Sequence, residues 1–223
     1  SRSELFVVMT GGMAGIAGTV LVLYAQFLKN AVPEAAGHLV IASVLGAPIA
    51  VMIGQIMVPD EQDTRTNSLE IEEPVAESTM DAIAKGATMG MQLLLNMIAM
   101  LIVFVALVAL VNVMLGGFVV FDAPLTVERM LGWIFAPVAW LIGVEWKDAD
   151  VAGWLLGVKL TLTEFVAFID LGKVPAADMT ERTRMLMTYA LCGFANIGSV
   201  GITVTGLSVL MPERREEVLG MVW

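Results

Sequence analysis

The chain has 223 residues, 58% of them hydrophobic and only 15% charged, with a mean hydropathy of +0.83. Soluble domains run at about 45–50% apolar and about 25% charged, so this composition belongs in a bilayer. A net charge of −10, from 12 basic and 22 acidic residues, excludes nucleic acid as an expected partner, because phosphate contacts need Lys and Arg; the single Cys192 allows no disulfide within the chain and, with the lone His38, leaves too few soft ligands for zinc or iron.

The start, SRSELF, shows no signal-peptide pattern and no initiator Met, and the end, MPERREEVLGMVW, stops in mid-pattern, so a fragment is expected. Residues 1–58 hold two predicted spans. The first, 4–28, reaches about 37 Å as a helix, enough for a hydrocarbon core of ~30 Å. Gly11, Gly12, Gly15 and Gly18 interrupt it, either for close helix packing or as a break, and the span is expected to be partly unwound. The second, 38–58, contains Pro48. Residues 59–87 carry Arg65, Lys85 and eight carboxylates; they are expected to form an aqueous loop, with Met80–Ala87 starting an interfacial helix. Membrane orientation stays open, because the positive-inside rule counts Lys and Arg and hardly notices acids.

Residues 88–119 contain the cleanest span, 90–117, which has no charge; Asn96 and Asn112 within it read as helix–helix hydrogen-bonding groups. Residues 120–147 read as an interfacial or tilted helix, broken by Pro137, with Trp133, Trp140 and Trp146 suited to the membrane–water boundary. In 148–173, two short apolar runs, 148–160 and 164–171, are joined by TLT. The first is about 20 Å long as a helix, neither run crosses alone, and Glu164 stands at the join. A re-entrant hairpin is predicted, since irregular backbone at membrane depth needs protein or water around it. Residues 174–223 carry a last span, 181–211, whose middle reads ALCGFANIGSVGI; a break is expected at Phe194–Ile197, between Gly193 and Gly198. The predicted class is thus an all-α polytopic membrane protein with spanning helices, a re-entrant hairpin and discontinuous spans. Interrupted spans mark substrate sites in transporters.

Glu164, Asn196 and Ser199 stand out as site candidates. A carboxylate at the bilayer centre costs about 2.5–3.5 kcal/mol on insertion scales, so Glu164 needs a partner or a polar cavity. Asn196 and Ser199 lie three apart, on one face of a helical turn. A carboxylate, an amide and a hydroxyl together suit a small polyhydroxylated ligand such as a sugar. In the competing reading Glu164 lies in water and Asn196 and Ser199 only satisfy broken-helix backbone. An intramembrane enzyme would need a nucleophile–base pair, for which Ser199 and His38 are the residues available. G-x-S-x-G fails at Ser199, since Ile197 precedes it by two, and His38 reads as a helix-end residue. A ligand-free membrane scaffold is the third alternative. Asp170 reads as solvated, and the 16 Met residues as packing or lipid-facing.

The stretches GGMAGIAGTVLVLY, AGHLVIAS, FVALVALVN, LGWIFAPVAWLIGV, TLTEFVAFIDL and YALCGFANIGSVGI, in this order, resemble the C-terminal half of the concentrative nucleoside transporters. The resemblance runs along essentially the whole chain. It implies a homotrimer in the plasma (cell inner) membrane, no enzyme activity and no cofactor. It implies ion-coupled nucleoside uptake by alternating access, with a transport part moving past a scaffold. It also implies site roles: Glu164 as the hairpin carboxylate that binds ribose, Asn196 and Ser199 as ribose contacts, Phe194 as an aromatic near the ligand, and Val20 as an apolar contact for the base. Two departures bear on function. Thr163 stands where the family commonly has Asn before the Glu. Gly15 stands where sodium-coupled members carry a hydroxyl that helps hold the ion beside the carbonyl of Ile16. Hard cations want oxygen ligands, so Gly15 weakens Na+ as the coupling ion and strengthens H+, with Glu164 as the titrating group. The implied upstream hairpin and final span lie outside this chain, which is expected not to transport alone. Purine versus pyrimidine preference is not written in it.

Overall fold

The computed structural model describes residues 1–59 and 76–222. Most of the acidic stretch expected as an aqueous loop, 60–75, lies outside the described residues. Three segments are long and apolar enough to cross a membrane, judged by length and composition: Arg2–Leu28, Ala35–Met57 and Thr79–Leu115. The first is two helices, α1 (Arg2–Ala14) and α2 (Gly18–Leu28), interrupted at 15–17. A capping box at Ser1 and Glu4 starts α1. The second, α3 (Ala35–Met57), runs unbroken through Pro48.

Helices α1 and α3 pack antiparallel along small residues. Gly54 lies against Val7, and Gly46 against the carbonyl of Ala14, with buried Ala50 between them on the same face of α3. Four-residue spacing of small side chains lets two backbones approach closely in lipid. Ser3 donates to the carbonyl of Val58 and closes the far end of α3.

The third segment, α4, is one helix of 37 residues, Thr79–Leu115, about 56 Å long. The expected separate interfacial start at Met80–Ala87 is therefore continuous with the span; Ser78 caps it by accepting from the Asp81 amide. No residue of α4 is buried. It meets the rest of the chain along α9 (Ile197–Leu210), where Gly198 and Gly201 admit Phe104 and Met100, and at Asn112. The Asn112 amide donates to both Glu128 oxygens at 3.0 Å and accepts from the Val127 amide at 2.8 Å. Asn112 thus has the helix–helix role expected of it. It ties the end of α4 to the start of α5 (Val127–Leu141).

Two departures from the sequence reading precede α5 and lie within it. A two-residue strand pair, β1 (Val119–Val120) and β2 (Ala123–Pro124), turns through Phe121 and Asp122, both at positive φ, so the class is helical with one small hairpin. Pro137 does not break its helix: α5 continues to Leu141.

Helix α6 (Ala149–Thr161) returns antiparallel along α5 at very short range. Gly153 and Gly157 of α6 face the Gly132 and Glu128 backbone of α5. Helix α7 (Glu164–Lys173) follows after Leu162 and Thr163, and α8 (Glu181–Leu191) after a loop. Tyr24, Leu28, Leu39, Leu155, Phe168, Leu171, Met187 and Leu191 make the main core, drawn from α2, α3, α6, α7 and α8. The chain ends in α10 (Arg215–Met221), whose Val218 and Met221 pack on Leu5 and Met9 of α1.

Candidate functional site

The interruption between α1 and α2 and the one between α8 and α9 meet. Gly193, at φ +110°, lies against the carbonyls of Met13 and Ala14, at the end of α1. Only a glycine takes that backbone angle without strain while leaving room for the approach. The second interruption covers 192–196. Gly198, expected to bracket it, lies inside α9 instead.

Glu164 opens α7 against this crossing. Thr163 is its N-cap, accepting weakly from the Val166 amide at 3.4 Å. Glu164 is 6% exposed, which removes the reading in which it lies in water. Its Oε1 accepts from the Tyr24 hydroxyl at 3.2 Å and its Oε2 from the Asn196 amide nitrogen at 3.3 Å. Tyr24 is fully buried and stacks on Phe168 at 4.3 Å, which fixes the ring. Each carboxylate oxygen has two lone-pair sites, so each keeps one after these bonds.

Asn196 caps α9. Its Oδ1 accepts from the Ser199 backbone amide at 2.7 Å, and its own backbone amide donates to Ser199 Oγ at 2.9 Å. Ser199 Oγ in turn donates to the Asn196 carbonyl at 2.6 Å. Both residues are buried, Ser199 completely. The hydroxyl of Ser199 is thus engaged at the helix start, with one of its two acceptor sites left open. Only the Asn196 amide nitrogen reaches outward, to Glu164.

In front of Glu164 lies a cavity of about 290 Å³ lined by Gly12, Gly15, Ile16, Ala17, Val20, Tyr24, Met97, Glu164 and Phe194. It is small for a ligand cleft, where about 300–1,000 Å³ is usual. Val20, Glu164, Phe194, Gly15 and Ile16 thus face one space, while Asn196 stands behind Glu164 and Ser199 behind Asn196. Tyr24 is the site residue that sequence reasoning missed. The signal was present: Tyr24 lies four after Val20, on the same face of α2.

The nucleophile–base pair of the enzyme alternative is not assembled. His38 Nδ1 pairs with the Tyr189 hydroxyl at 2.8 Å, and Ser199 with Asn196. Asp170 is half-buried and lies 4.0 Å from Lys173 Nζ, away from the cavity lining.

The family model described as "Na+ dependent nucleoside transporter C-terminus" matches residues 38–223. The chain belongs to the concentrative nucleoside transporter family. It is a multi-pass plasma-membrane protein of a transporter family, not an enzyme. It is 40% identical to the uncharacterized transporter YutK of Bacillus subtilis, over 98% of this chain and 54% of that one. It is 36% identical to the nucleoside permease NupC of Helicobacter pylori, over 98% and 52%. Against sodium/nucleoside cotransporter 1 of Rattus norvegicus it is 35% identical, over 96% and 35%. Among solved structures, CNTnw in an inward-facing substrate-bound state matches with a TM-score of 0.77 and 39% identity, over 100% of this chain and 53% of that chain. The chain spans about half the length of the bacterial relatives it matches.

Proposed function

We propose that this chain forms the ribose-holding side of a secondary-active nucleoside importer. The observation that carries the reading is the convergence of Glu164, Val20, Tyr24 and Phe194 on one cavity where two helix interruptions cross. Ribose presents two vicinal hydroxyl donors. Glu164 offers one remaining acceptor site on each oxygen, with its position set by Tyr24 and Asn196. Val20 and Phe194 offer apolar and aromatic surface to the base. Ser199 acts through the cap that aims Asn196.

The pair α6 and α7 is a re-entrant hairpin in this reading, and α1–α2 and α8–α9 are discontinuous spans, with irregular backbone lining the cavity as membrane depth requires. The long, unburied α4 belongs to the scaffold of a homotrimer. The hairpin-bearing unit moves past it to give alternating access. Binding is coupled to an inward gradient of Na+ or H+. Gly15 brings no hydroxyl to the cavity and Glu164 brings a carboxylate, which favours H+; the mammalian relatives are sodium/nucleoside cotransporters, which speaks for sodium in those proteins.

Uptake of uridine into vesicles containing the complete transporter of which this chain forms one side tests the proposal, with sodium removed and with the proton gradient collapsed, each in turn. Saturable uptake that survives sodium removal and falls to background without the proton gradient is expected. Uptake indifferent to both would contradict ion coupling, and no uptake in any condition would contradict nucleoside import.

A further inference from the structure

Lys159 is a cation that the site as described does not use. It lies in the last turn of α6. Its Nζ donates to the carbonyls of Ala190, at 3.0 Å, and Cys192, at 3.4 Å. These carbonyls close α8, immediately before Gly193 and the interruption that carries Phe194 and Asn196. The last carbonyls of a helix have no intrahelical partner and form the negative end of its dipole, so an ammonium there is favoured twice over.

The same helix also grips the other end of α8. Asp148, just before α6, accepts from the Thr180 amide at 3.0 Å and the Thr180 hydroxyl at 2.7 Å, at the N-cap of α8. Helix α6 therefore runs parallel to α8, with an acid at its positive end and a base at its negative end. Arg184 of α8 donates in turn to the carbonyls of Leu171, Val174 and Pro175, at the end of α7. Three half-length helices are tied by ionic groups placed on helix ends.

The geometry points to Lys159 as a positioning residue for the nucleoside site: it holds the 192–196 crossing so that Asn196 and Phe194 face Glu164. This inference rests on the nucleoside reading above. Lys159 touches no ligand in it. Asp148 holds α8 at the end away from the crossing and serves stability alone. The two contacts therefore separate a positioning role from a structural one.

Uridine affinity and thermal stability of the purified complete transporter are measured for the parent, Lys159→Met, Lys159→Arg and Asp148→Asn. Lys159→Met is expected to weaken uridine binding on the order of tenfold, the loss that removal of a charged hydrogen bond at the site's support brings. Lys159→Arg recovers most of that loss, because a guanidinium also reaches both carbonyls. Asp148→Asn lowers the melting temperature while leaving affinity within about twofold of the parent. Amide exchange at 192–199 rises in Lys159→Met and not in Asp148→Asn. Parent-like affinity in Lys159→Met overturns the inference, as does an equal affinity loss in Asp148→Asn. Should Lys159→Met not fold, Lys159→Arg decides: parent-like affinity with parent-like protection at 192–199 supports the inference, and parent-like affinity with that protection lost overturns it. A parent that binds no uridine overturns the nucleoside reading itself, a distinct result.

Discussion

Glu164→Gln is expected to weaken nucleoside binding and uptake on the order of 100-fold while leaving the protein folded. Hydrogen bonds to a charged acceptor contribute about 1.5–3 kcal/mol each, and two ribose hydroxyls are proposed to share this carboxylate. Gln has nearly the same shape but replaces one acceptor oxygen with a donor. Tyr24 and Asn196 already donate to the two oxygens, so the new NH2 either faces the Asn196 donor or forces the Tyr24 hydroxyl to reverse its role, and one present bond is lost either way. The burial of Glu164 prevents water from repairing the mismatch. Direct binding of radiolabelled uridine, alongside elution of a monodisperse species, checks the result. Parent-like binding by Glu164→Gln would leave the ligand-free scaffold as the better description.

The second large effect is structural and lies away from the cavity. A Cβ on Gly153 would stand 2.4 Å from the Gly132 carbonyl oxygen and 2.7 Å from the Ala136 amide nitrogen. Both are backbone atoms, so no rotamer relieves the clash. Helices α5 and α6 must then separate along their whole contact. Overpacking usually costs about 1–3 kcal/mol, and the absence of any yielding side chain places Gly153→Val at about 3 kcal/mol or beyond. The expected outcome is a melting temperature lowered by many degrees, or failure to recover folded protein. Gly86→Ala is the control: nothing lies within 4 Å of its added carbon, and the helix propensity of Ala favours the change. A Gly153→Val protein as stable as Gly86→Ala would show that the α5–α6 contact is looser than described.

The sequence made the long elements readable because lipid imposes a simple demand: an apolar helix of about 20 residues or closed backbone pairing. It made the interruptions readable too, where glycines and polar residues cluster within one apolar run. The boundaries were harder. Pro137 looked like a break, yet α5 runs through it to Leu141. Gly198 looked like the far edge of a break, yet the Asn196 cap starts α9 just before it. The cap also shows why Ser199 reads two ways in the sequence. An Asn three before a Ser on a helix face is the pattern both of a sugar site and of a capping box, and composition alone does not separate them.

Pairings between elements were the least legible part. The short apolar runs 148–160 and 164–171, expected as partners of one another, do pack together as α6 and α7, but this is not the tightest contact of α6. Gly153 and Gly157, four apart as close helix contacts require, also lay α6 flush on α5, a pairing the sequence reading did not contain. Tyr24 went unremarked because a tyrosine in an apolar span usually reads as packing. Its role depends on Glu164, 140 positions away, which no local pattern reveals.

The central claim is that Glu164 reads the ribose hydroxyls, and a thermodynamic cycle tests it most directly. Dissociation constants for uridine and for 2′,3′-dideoxyuridine, which lacks both hydroxyls, are measured on the parent protein and on Glu164→Gln. A strong preference for uridine is expected in the parent, on the order of 100-fold, that all but disappears in the variant. An equal preference in both proteins would mean that some other group holds the sugar.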